Sequence, residues 1–206
     1  MPNVQGLDLE KAGIDYDHNS GVKISDTMQT SNKNVYAVGD CCVNLQFTHM
    51  ADNMARAALR NSLLGGSNSW KKLIIPRVTY TDPEVAQVGM NARELDQEKI
   101  EFDVYESKME DNERAVCDGE ELGYVKIFCV KGSDKILGAV IVCGRAGEMI
   151  NEITLAMKEG IGLGAVGSKV PPYPTYGESI VFAGRQYSFG KMSNFKKGFV
   201  RKWLKI

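Results

Sequence analysis

Residues 124–143 read YVKIFCVKGSDKILGAVIVC, and this stretch decides the fold. Its first part, Tyr124–Val130, is rich in β-branched and aromatic side chains, and residues 137–143 are almost entirely apolar, so both parts predict buried strands. The intervening residues 131–135 (KGSDK) have the composition of a hairpin turn. The stretch therefore predicts two antiparallel strands at the buried centre of a sheet.

Extended segments precede this hairpin, and helical patterns follow it. The β-branched runs predict strands over residues 77–81, 85–89, 102–109, 123–130 and 136–143. Residues 146–160 predict an amphipathic helix, with one apolar face made by Met149, Ile150, Ile153, Ala156 and Met157. A second helix is predicted over residues 175–186. An antiparallel sheet with flanking helices is an α+β architecture.

The composition excludes several classes of protein. The chain has 206 residues, enough for one or two domains, and 43% of them are apolar. It has 25 Lys and Arg against 26 Asp and Glu, a balance that argues against a protein whose main task is to neutralise nucleic-acid phosphates. The sequence has no apolar run of about 18 residues and no signal-like start, so we expect a cytoplasmic protein.

The cysteines and histidines predict neither a disulfide framework nor a metal site. The five cysteines are irregularly spaced and form no CxxC pair: Cys41, Cys42, Cys117, Cys129 and Cys143. The histidines are His18 and His49, too few for a zinc site of local ligands. For the adjacent Cys41 and Cys42, two structural thiols are favoured over a redox pair, because neighbouring side chains usually point apart.

The first 70 residues have a different pattern. Residues 34–38 (NVYAV), stopped by Gly39-Asp40, predict a buried strand that enters a tight turn. A helix is predicted over Thr48–Leu64, with Thr48 as its N-cap and Gly65-Gly66 as its stop signal. One strand and one helix are too little for an independent domain, so this region is typical of the end of a larger one.

Two stretches suggest phosphate binding. Residues 162–167 (GLGAVG) match GxGxxG, but a helix precedes them and Pro171-Pro172 follows, so we reject a dinucleotide site there. Asp40 followed by the helix from Thr48 is a better candidate, because a carboxylate accepts hydrogen bonds from ribose or ribityl hydroxyls and a helix N-terminus offers free amides. An ordinary capped turn is the alternative interpretation.

Residues 30–40 (TSNKNVYAVGD) resemble the second flavin-contacting motif of the FAD-dependent pyridine nucleotide-disulfide oxidoreductases, which include glutathione reductase, lipoamide dehydrogenase and mercuric reductase. Residues 2–14 (PNVQGLDLEKAGI) resemble the segment before that motif, and residues 77–89 (RVTYTDPEVAQVG) resemble the start of the family's dimerisation domain. The resemblance implies the C-terminal part of an FAD-binding domain over residues 1–70. It implies a dimerisation domain over residues 71–190.

The resemblance also implies cofactor contacts and a homodimer. Gly39 and Asp40 are expected at the FAD, with Asp40 hydrogen-bonded to its ribityl or pyrophosphate region. The helix start at Thr48, His49 and Met50 is expected to face the flavin pyrimidine edge, where the helix dipole favours negative charge. NAD(P)H is the expected electron donor.

The C-terminal motif departs from the family pattern. In the family, a His-Pro-Thr-x-x-Glu stretch of the partner subunit supplies an acid-base pair. Here residues 171–178 read PPYPTYGE, which puts Tyr173 at the histidine position and Glu178 at the glutamate, or Pro171 at the histidine position in a second alignment. Tyr173 and Glu178 are the catalytic candidates, although a phenol with a pKa of about 10 is a poor base. The pattern is most similar to the mercuric reductase-like branch, but that enzyme's C-terminal cysteine pair is absent, so the acceptor stays open.

The family's strand-GxGxxG-helix unit, its CxxxxC pair and its NAD(P)H domain do not occur in this sequence. We therefore expect the C-terminal part of a flavoprotein that passes electrons from NAD(P)H through FAD to a disulfide, metal ion or other acceptor. The N-terminal domains of the same protein are its expected partners, and the chain alone is predicted to be inactive. The alternative is a free-standing, non-catalytic dimerisation module.

A basic amphipathic tail is predicted over residues 191–206. Phe195, Phe199 and Trp203 follow one another at helical spacing, with basic residues between them. A packing arm on the sheet or across the dimer is favoured over a membrane-surface helix, because the segment is short.

Overall fold

The computed structural model describes residues 1–191, so Phe195, Phe199 and Trp203 of the predicted tail lie outside the described residues. The chain divides into two compact units, Met1–Leu73 and a second one that begins at Ile74. Within residues 1–191, no helix combines the length and the apolar composition that crossing a membrane requires.

The first unit is built around one long helix, α1 (Thr48–Leu64). Its strands β1 (Tyr16–Asp17) and β2 (Gly21–Val22) form a small antiparallel pair. Short 3-10 turns lie at Gly39–Cys41 and Trp70–Lys72. The buried apolar side chains include Val4, Ile14, Val22, Met28, Met50 and Met54. Most of the remaining chain in this unit is turn and loop.

The strand predicted over residues 34–38 is wrong. That segment forms an isolated bridge between Gln29 and Tyr36, and residues 35–38 are only half-buried. Two backbone hydrogen bonds join it to residues 28–30. A β-branched run extends into a strand only where neighbouring strands complete its hydrogen-bond ladder. Among the described residues, this segment pairs with its neighbour only through the bridge between Gln29 and Tyr36.

Helix α1 has the predicted bounds, but its N-cap is not the predicted one. Phe47 is the N-cap, in extended conformation and without a side-chain hydrogen bond, and Thr48 is the first helical residue. At the other end Gly65 has φ +66°, the left-handed conformation that glycine adopts without a steric cost. The predicted stop signal at Gly65 is confirmed.

The second unit is an antiparallel five-stranded sheet with helices. Its strands are β3 (Arg77–Thr79), β4 (Glu84–Gly89), β5 (Phe102–Lys108), β6 (Tyr124–Val130) and β7 (Ile136–Cys143), in the spatial order β3-β4-β7-β6-β5. The hairpin of β6 and β7 is central, with Val125 opposite Ile141. All five strands were predicted to within two residues at each end, and the α+β class is confirmed.

Among the described residues of this unit, five helices accompany the sheet. They are α2 (Ala92–Gln97), α3 (Glu113–Asp118), α4 (Ala146–Lys158), α5 (Leu163–Ser168) and α6 (Glu178–Gly190). Ile150 and Ile153 of α4 and Ile180 of α6 are buried in the same core as Val125 and Ile141 of the sheet. The sequence predicted α4 and, with shifted bounds, α6. It missed α2, α3 and α5, because six residues carry too little periodicity.

The GxGxxG stretch lies across α5, and its glycines permit close packing. A Cβ on Gly167 would lie 2.4 Å from the carbonyl carbon of Gly184, so the backbones of α5 and α6 touch there. A Cβ on Gly162 would lie 2.2 Å from a carboxylate oxygen of Asp134. These short distances show that close packing, without a nucleotide, accounts for glycine at both positions of the pattern.

Candidate functional site

The turn at Gly39–Cys41 lies against α1 within the first unit. Gly39 has φ +74°, and a Cβ built on it would lie 2.8 Å from the Cβ of Ala51. The backbone N–H of Cys42 donates to the carbonyl of Gly39 at 3.0 Å and closes the turn. Glycine therefore lets the turn approach the helix, and Asp40 is exposed on this turn.

The N-terminal end of α1 lies beside this turn. Its N-cap supplies no side-chain hydrogen bond, and no acidic residue lies in the first turn. The first backbone N–H with a helical partner is that of Ala51, which donates to Phe47. Because the first amides of a helix lack intrahelical acceptors, this end carries the positive part of the helix dipole.

The predicted cofactor residues at this helix start differ in exposure. Thr48 and His49 are exposed, and the His49 ring stacks on Phe47 with 5.3 Å between ring centroids. The side chain of Met50 is buried in the core of the first unit. Thr48 and His49 thus lie at the surface of the unit, whereas the Met50 side chain does not. The arrangement suits a cofactor that carries phosphate or hydroxyl groups.

The C-terminal motif over residues 171–178 forms the loop that enters α6 in the second unit. Tyr173 is 70% exposed, and its phenol donates a hydrogen bond to the carboxylate of Glu113 on α3. The carboxylate of Glu178 accepts from the backbone N–H of Thr175 at 3.1 Å. Tyr173 and Glu178 therefore each bond to another group, and Glu113, which sequence reasoning missed, is the partner of Tyr173.

This bonding sets the protonation of Tyr173. The hydrogen bond to Glu113, followed by the negative charge of that carboxylate, raises the pKa of the Tyr173 phenol above its ordinary value. A phenol with a raised pKa keeps its proton at neutral pH. The Tyr173 phenol therefore keeps its proton, which it donates to Glu113 in a hydrogen bond.

A buried asparagine fixes the motif on the sheet unit. The Asn112 side-chain amide donates to the carbonyl of Thr175 at 3.1 Å and to the hydroxyl of Ser179 at 2.9 Å. Its side-chain oxygen accepts from the backbone N–H of Ala115 at 3.0 Å and so caps α3. Because its partners in the motif are more than 60 residues away in sequence, no local pattern revealed this residue.

Tyr176, next in the motif, is buried beneath the loop. Its phenol lies 3.0 Å from a carboxylate oxygen of Glu120 and 3.2 Å from one of Asp118. Burial, and then these two carboxylates, raise the pKa of Tyr176. The guanidinium of Arg145 lies 5.7 Å from the centroid of the Tyr176 ring, in cation–π geometry.

An open cavity of about 430 Å³ adjoins this motif. It is lined by Arg114, Arg145, Glu148, Met149, Thr175 and Tyr176, among others. Arg114 is paired with Asp118, and Arg145 lies over the ring of Tyr176. Among residues 1–191, no cluster of three or more His, Cys, Asp or Glu side chains is placed to hold a metal ion.

Comparison with known protein families gave two matches. The dimerisation domain of the pyridine nucleotide-disulphide oxidoreductases matches residues 75–183, and the pyridine nucleotide-disulphide oxidoreductase family matches residues 1–55. The first match covers most of the sheet unit. The second includes the turn at Gly39–Cys41 and the start of α1.

Individual proteins are similar over most of this chain. Mitochondrial dihydrolipoyl dehydrogenases from Sus scrofa and Homo sapiens are each 34% identical over 194 residues, which is 94% of this chain. The chain spans 38% of the length of these relatives.

Solved structures are also similar. LpdA from Mycobacterium tuberculosis superposes with a TM-score of 0.84 at 27% sequence identity. The superposition covers 90% of this chain and 40% of the LpdA chain. The HOCl-induced flavoprotein disulfide reductase RclA from Escherichia coli shares the fold, with a TM-score of 0.77 at 24% sequence identity. That superposition covers 84% of this chain and 40% of the RclA chain.

Proposed function

Because the chain belongs to the pyridine nucleotide-disulphide oxidoreductase family, we propose that it provides the dimer contact and part of the flavin site of a homodimeric flavoprotein oxidoreductase. This enzyme passes electrons from NAD(P)H through FAD to a disulfide, a metal ion or another acceptor. The observation that carries the proposal is that the cofactor features and the dimerisation-domain match lie in different units. The turn and helix start that suit a cofactor lie in one unit, and the match to the dimerisation domain lies in the other.

The residues of the first unit fit FAD. Gly39 has no side chain where the turn meets α1, Asp40 is exposed beside it, and the N-cap of α1 makes no side-chain hydrogen bond. FAD, when bound, supplies the carrier that takes hydride from NAD(P)H and passes electrons on. Asp40 accepts hydrogen bonds from the cofactor's hydroxyls, and the dipole of α1 stabilises negative charge at its N-terminus.

The outer face of α4 supports association of two copies. Leu155 is 57% exposed on this helix, on the side away from the core residues Ile150 and Ile153. When a second copy covers apolar side chains that are exposed in the monomer, their removal from water stabilises the dimer. Sedimentation at micromolar concentration should give twice the 22.7 kDa mass of one chain.

A matched pair of variants tests which unit makes the dimer. Leu155→Glu places a charge on α4 and should shift the chain toward monomer. Leu63→Glu places the same charge on an exposed leucine of α1 and should leave the dimer intact. A monomeric wild-type chain, or equal loss of the dimer in both variants, would contradict the proposed role of the sheet unit.

At the C-terminal motif we propose that Tyr173 keeps its proton, with Glu113 as the group that holds its phenol. A phenol that keeps its proton supports the proposal that Tyr173 is not the base of ordinary dithiol exchange. An NMR titration of the tyrosine rings tests the pairing. Glu113→Gln should lower the pKa of Tyr173, whereas Glu110→Gln, which removes an exposed carboxylate paired with Lys108, should leave it unchanged.

We further propose that the 206-residue chain does not turn over alone. Its sequence contains no CxxxxC pair, and its GxGxxG stretch is occupied by the packing of α5. Consumption of NADH or NADPH with added FAD should stay at the level of free FAD. Enzymatic oxidation would overturn this point, while dimerisation without any FAD binding would favour the non-catalytic module instead.

A further inference from the structure

The cavity beside the C-terminal motif has two charged side chains on its wall that the motif does not use. Its volume of about 430 Å³ lies within the range of roughly 300–1,000 Å³ that is typical of small-molecule sites. Arg145 and Glu148, at the start of α4, both line it. The residues that form the cavity all belong to the sheet unit, so the cavity exists within one unit of the chain.

Arg145 is held by an aromatic ring. Its guanidinium lies 5.7 Å from the centroid of the Tyr176 ring, and Tyr176 is only 5% exposed. A cation–π contact engages the charge of the guanidinium and does not use its N–H groups as hydrogen-bond donors. Among residues 1–191, the Arg145 side chain makes no hydrogen bond or ion pair. Its N–H donors are therefore available to a carboxylate of a ligand.

The second arginine of the cavity is already paired. Arg114 donates to the carboxylate of Asp118 from two of its nitrogens, with 2.9 Å between Nε and the oxygen. Asp118 and Glu120 also lie within hydrogen-bond distance of the Tyr176 phenol. These groups are engaged with one another, so Arg145 is the cation of the cavity that is left for a ligand.

Glu148 supplies the opposite charge. It is exposed in the first turn of α4, three residues after Arg145. Within the described part of the chain, its carboxylate makes no hydrogen bond or ion pair. The Arg145 guanidinium contacts the Tyr176 ring, and Glu148 is not within ion-pair distance of it. One cation and one anion are therefore both present at the cavity without neutralising each other.

The rest of the lining is mainly apolar. Met149, Pro174 and the ring of Tyr176 contribute apolar surface. The hydroxyl of Thr175 donates to the carbonyl of Pro172 at 2.8 Å, so its proton is already used. Apolar surface that a ligand covers here is removed from water, which favours binding. The cavity thus combines a cationic group, an anionic group and an apolar wall.

We propose that this cavity binds a small apolar amino acid, with its carboxylate on Arg145, its ammonium group on Glu148 and its side chain against Met149 and Pro174. A guanidinium binds a carboxylate through two parallel hydrogen bonds, and a glutamate accepts hydrogen bonds from an ammonium group. A ligand with a carboxylate alone is repelled by Glu148, and a ligand with an amine alone is repelled by Arg145. The inference does not rest on the proposed electron transfer, because it uses residues of the sheet unit alone.

An NMR titration of the isotopically labelled 206-residue chain with L-phenylalanine tests this site. Saturable shifts should appear at the backbone signals of Arg145, Glu148 and Met149. 3-Phenylpropanoate, which lacks the ammonium group, and phenethylamine, which lacks the carboxylate, should each bind at least tenfold more weakly. The proposal fails if L-phenylalanine gives no saturable shift at millimolar concentration, or if either analogue binds as tightly as L-phenylalanine.

Two variants assign the charges to their residues. Glu148→Gln and Arg145→Gln should each weaken the binding of L-phenylalanine at least tenfold. The preference for L-phenylalanine over 3-phenylpropanoate should disappear in Glu148→Gln, and the preference over phenethylamine should disappear in Arg145→Gln. If Arg145→Gln does not fold, Glu148→Gln decides, because Glu148 is exposed and makes no bond that the fold needs.

Matched controls remove the same charges elsewhere in the sheet unit. Arg93 and Glu98 are exposed in and directly after α2, and neither lines the cavity. Arg93→Gln and Glu98→Gln should bind L-phenylalanine as the wild type does. Equal weakening in these controls and in the cavity variants would show that net charge controls binding, and the assigned site would be wrong.

Discussion

The two units of this chain hold their candidate sites in different ways. The sheet unit buries a continuous apolar core, and its C-terminal motif is attached to that core by Asn112. The first unit has one long helix and two two-residue strands, and many of its loops are joined by polar side chains such as Ser31 and Asn32. The sheet unit therefore depends on packing, and the first unit depends on turn geometry.

Loss of core packing should have the largest effect. Ile153 is fully buried between α4 and the sheet, so Ile153→Ala leaves a cavity and should cost about 2–5 kcal/mol of unfolding free energy. Leu155→Ala on the exposed side of the same helix should change stability by less than about 0.5 kcal/mol. Urea unfolding measures both values, and equal costs would contradict the dependence of the sheet unit on its buried core.

Loss of the buried Asn112 hydrogen bonds should have the next largest effect on stability. Asn112→Ala removes the cap of α3 and leaves the carbonyl of Thr175 without its side-chain donor, a cost of about 1–3 kcal/mol. Asn91→Ala removes the half-buried capping-box residue of α2 and should cost only about 1 kcal/mol. Thermal unfolding of the two variants compares them directly, and a milder effect for Asn112 would mean that the motif is held by other contacts.

A glycine pair tests the dependence of the first unit on turn geometry. Gly39 and Gly13 both have positive φ, and alanine should cost about 1–2 kcal/mol at either position. At Gly39 the new Cβ also meets Ala51, whereas at Gly13 it meets nothing within 4 Å. Chemical denaturation should therefore show the larger loss for Gly39→Ala. Identical losses would mean that the turn shifts away from α1.

The smallest effect concerns the polar edge of the sheet unit and depends on pH. Burial opposes ionisation of Glu94, but hydrogen bonds from the Asn91 backbone N–H and from Arg77 outweigh it and lower its pKa. The ionised form therefore adds stability above the unfolded-state pKa of about 4.3. That contribution is lost as the pH falls through the lower pKa of the folded state.

The variant Glu94→Gln keeps a residue able to complete the capping box, so it isolates the charge. It should be less stable than the wild type at pH 7 by under about 1 kcal/mol, because the pair with Arg77 is partly exposed. Thermal melts across the acid range should show the two proteins converging at low pH. A gap that widens toward acid would contradict the sign of the pKa shift.

The sequence predicted the sheet well because the physical cause is local. Alternation of β-branched residues and a short polar turn determine β6 and β7 whatever surrounds them. The strand predicted over residues 34–38 has the same composition, but its formation depends on partner strands. Composition alone does not report whether those partners are present.

The site was predicted less completely, because its contacts are distant in sequence. Tyr173 and Glu178 were identified as candidates through the resemblance of the motif to the family pattern, yet Tyr173 bonds to Glu113, 60 residues away. The Thr48 cap was predicted from residue type, whereas the chain enters the helix through Phe47. A sequence motif identifies candidate residues for a site. Packing between helices and loops that are distant in sequence determines which of those residues are in contact.

The edges of the five-stranded sheet bear on how copies of the chain associate. One edge strand, β3, has only three residues, and the other, β5, carries Asp103, Glu106 and Lys108. Short or charged edges discourage the open-ended addition of strands from other molecules, which leads to fibrous aggregates. Two copies that meet through helices or sheet faces make a closed, finite assembly. The short and the charged edge strand of this sheet therefore make open-ended strand addition unfavourable.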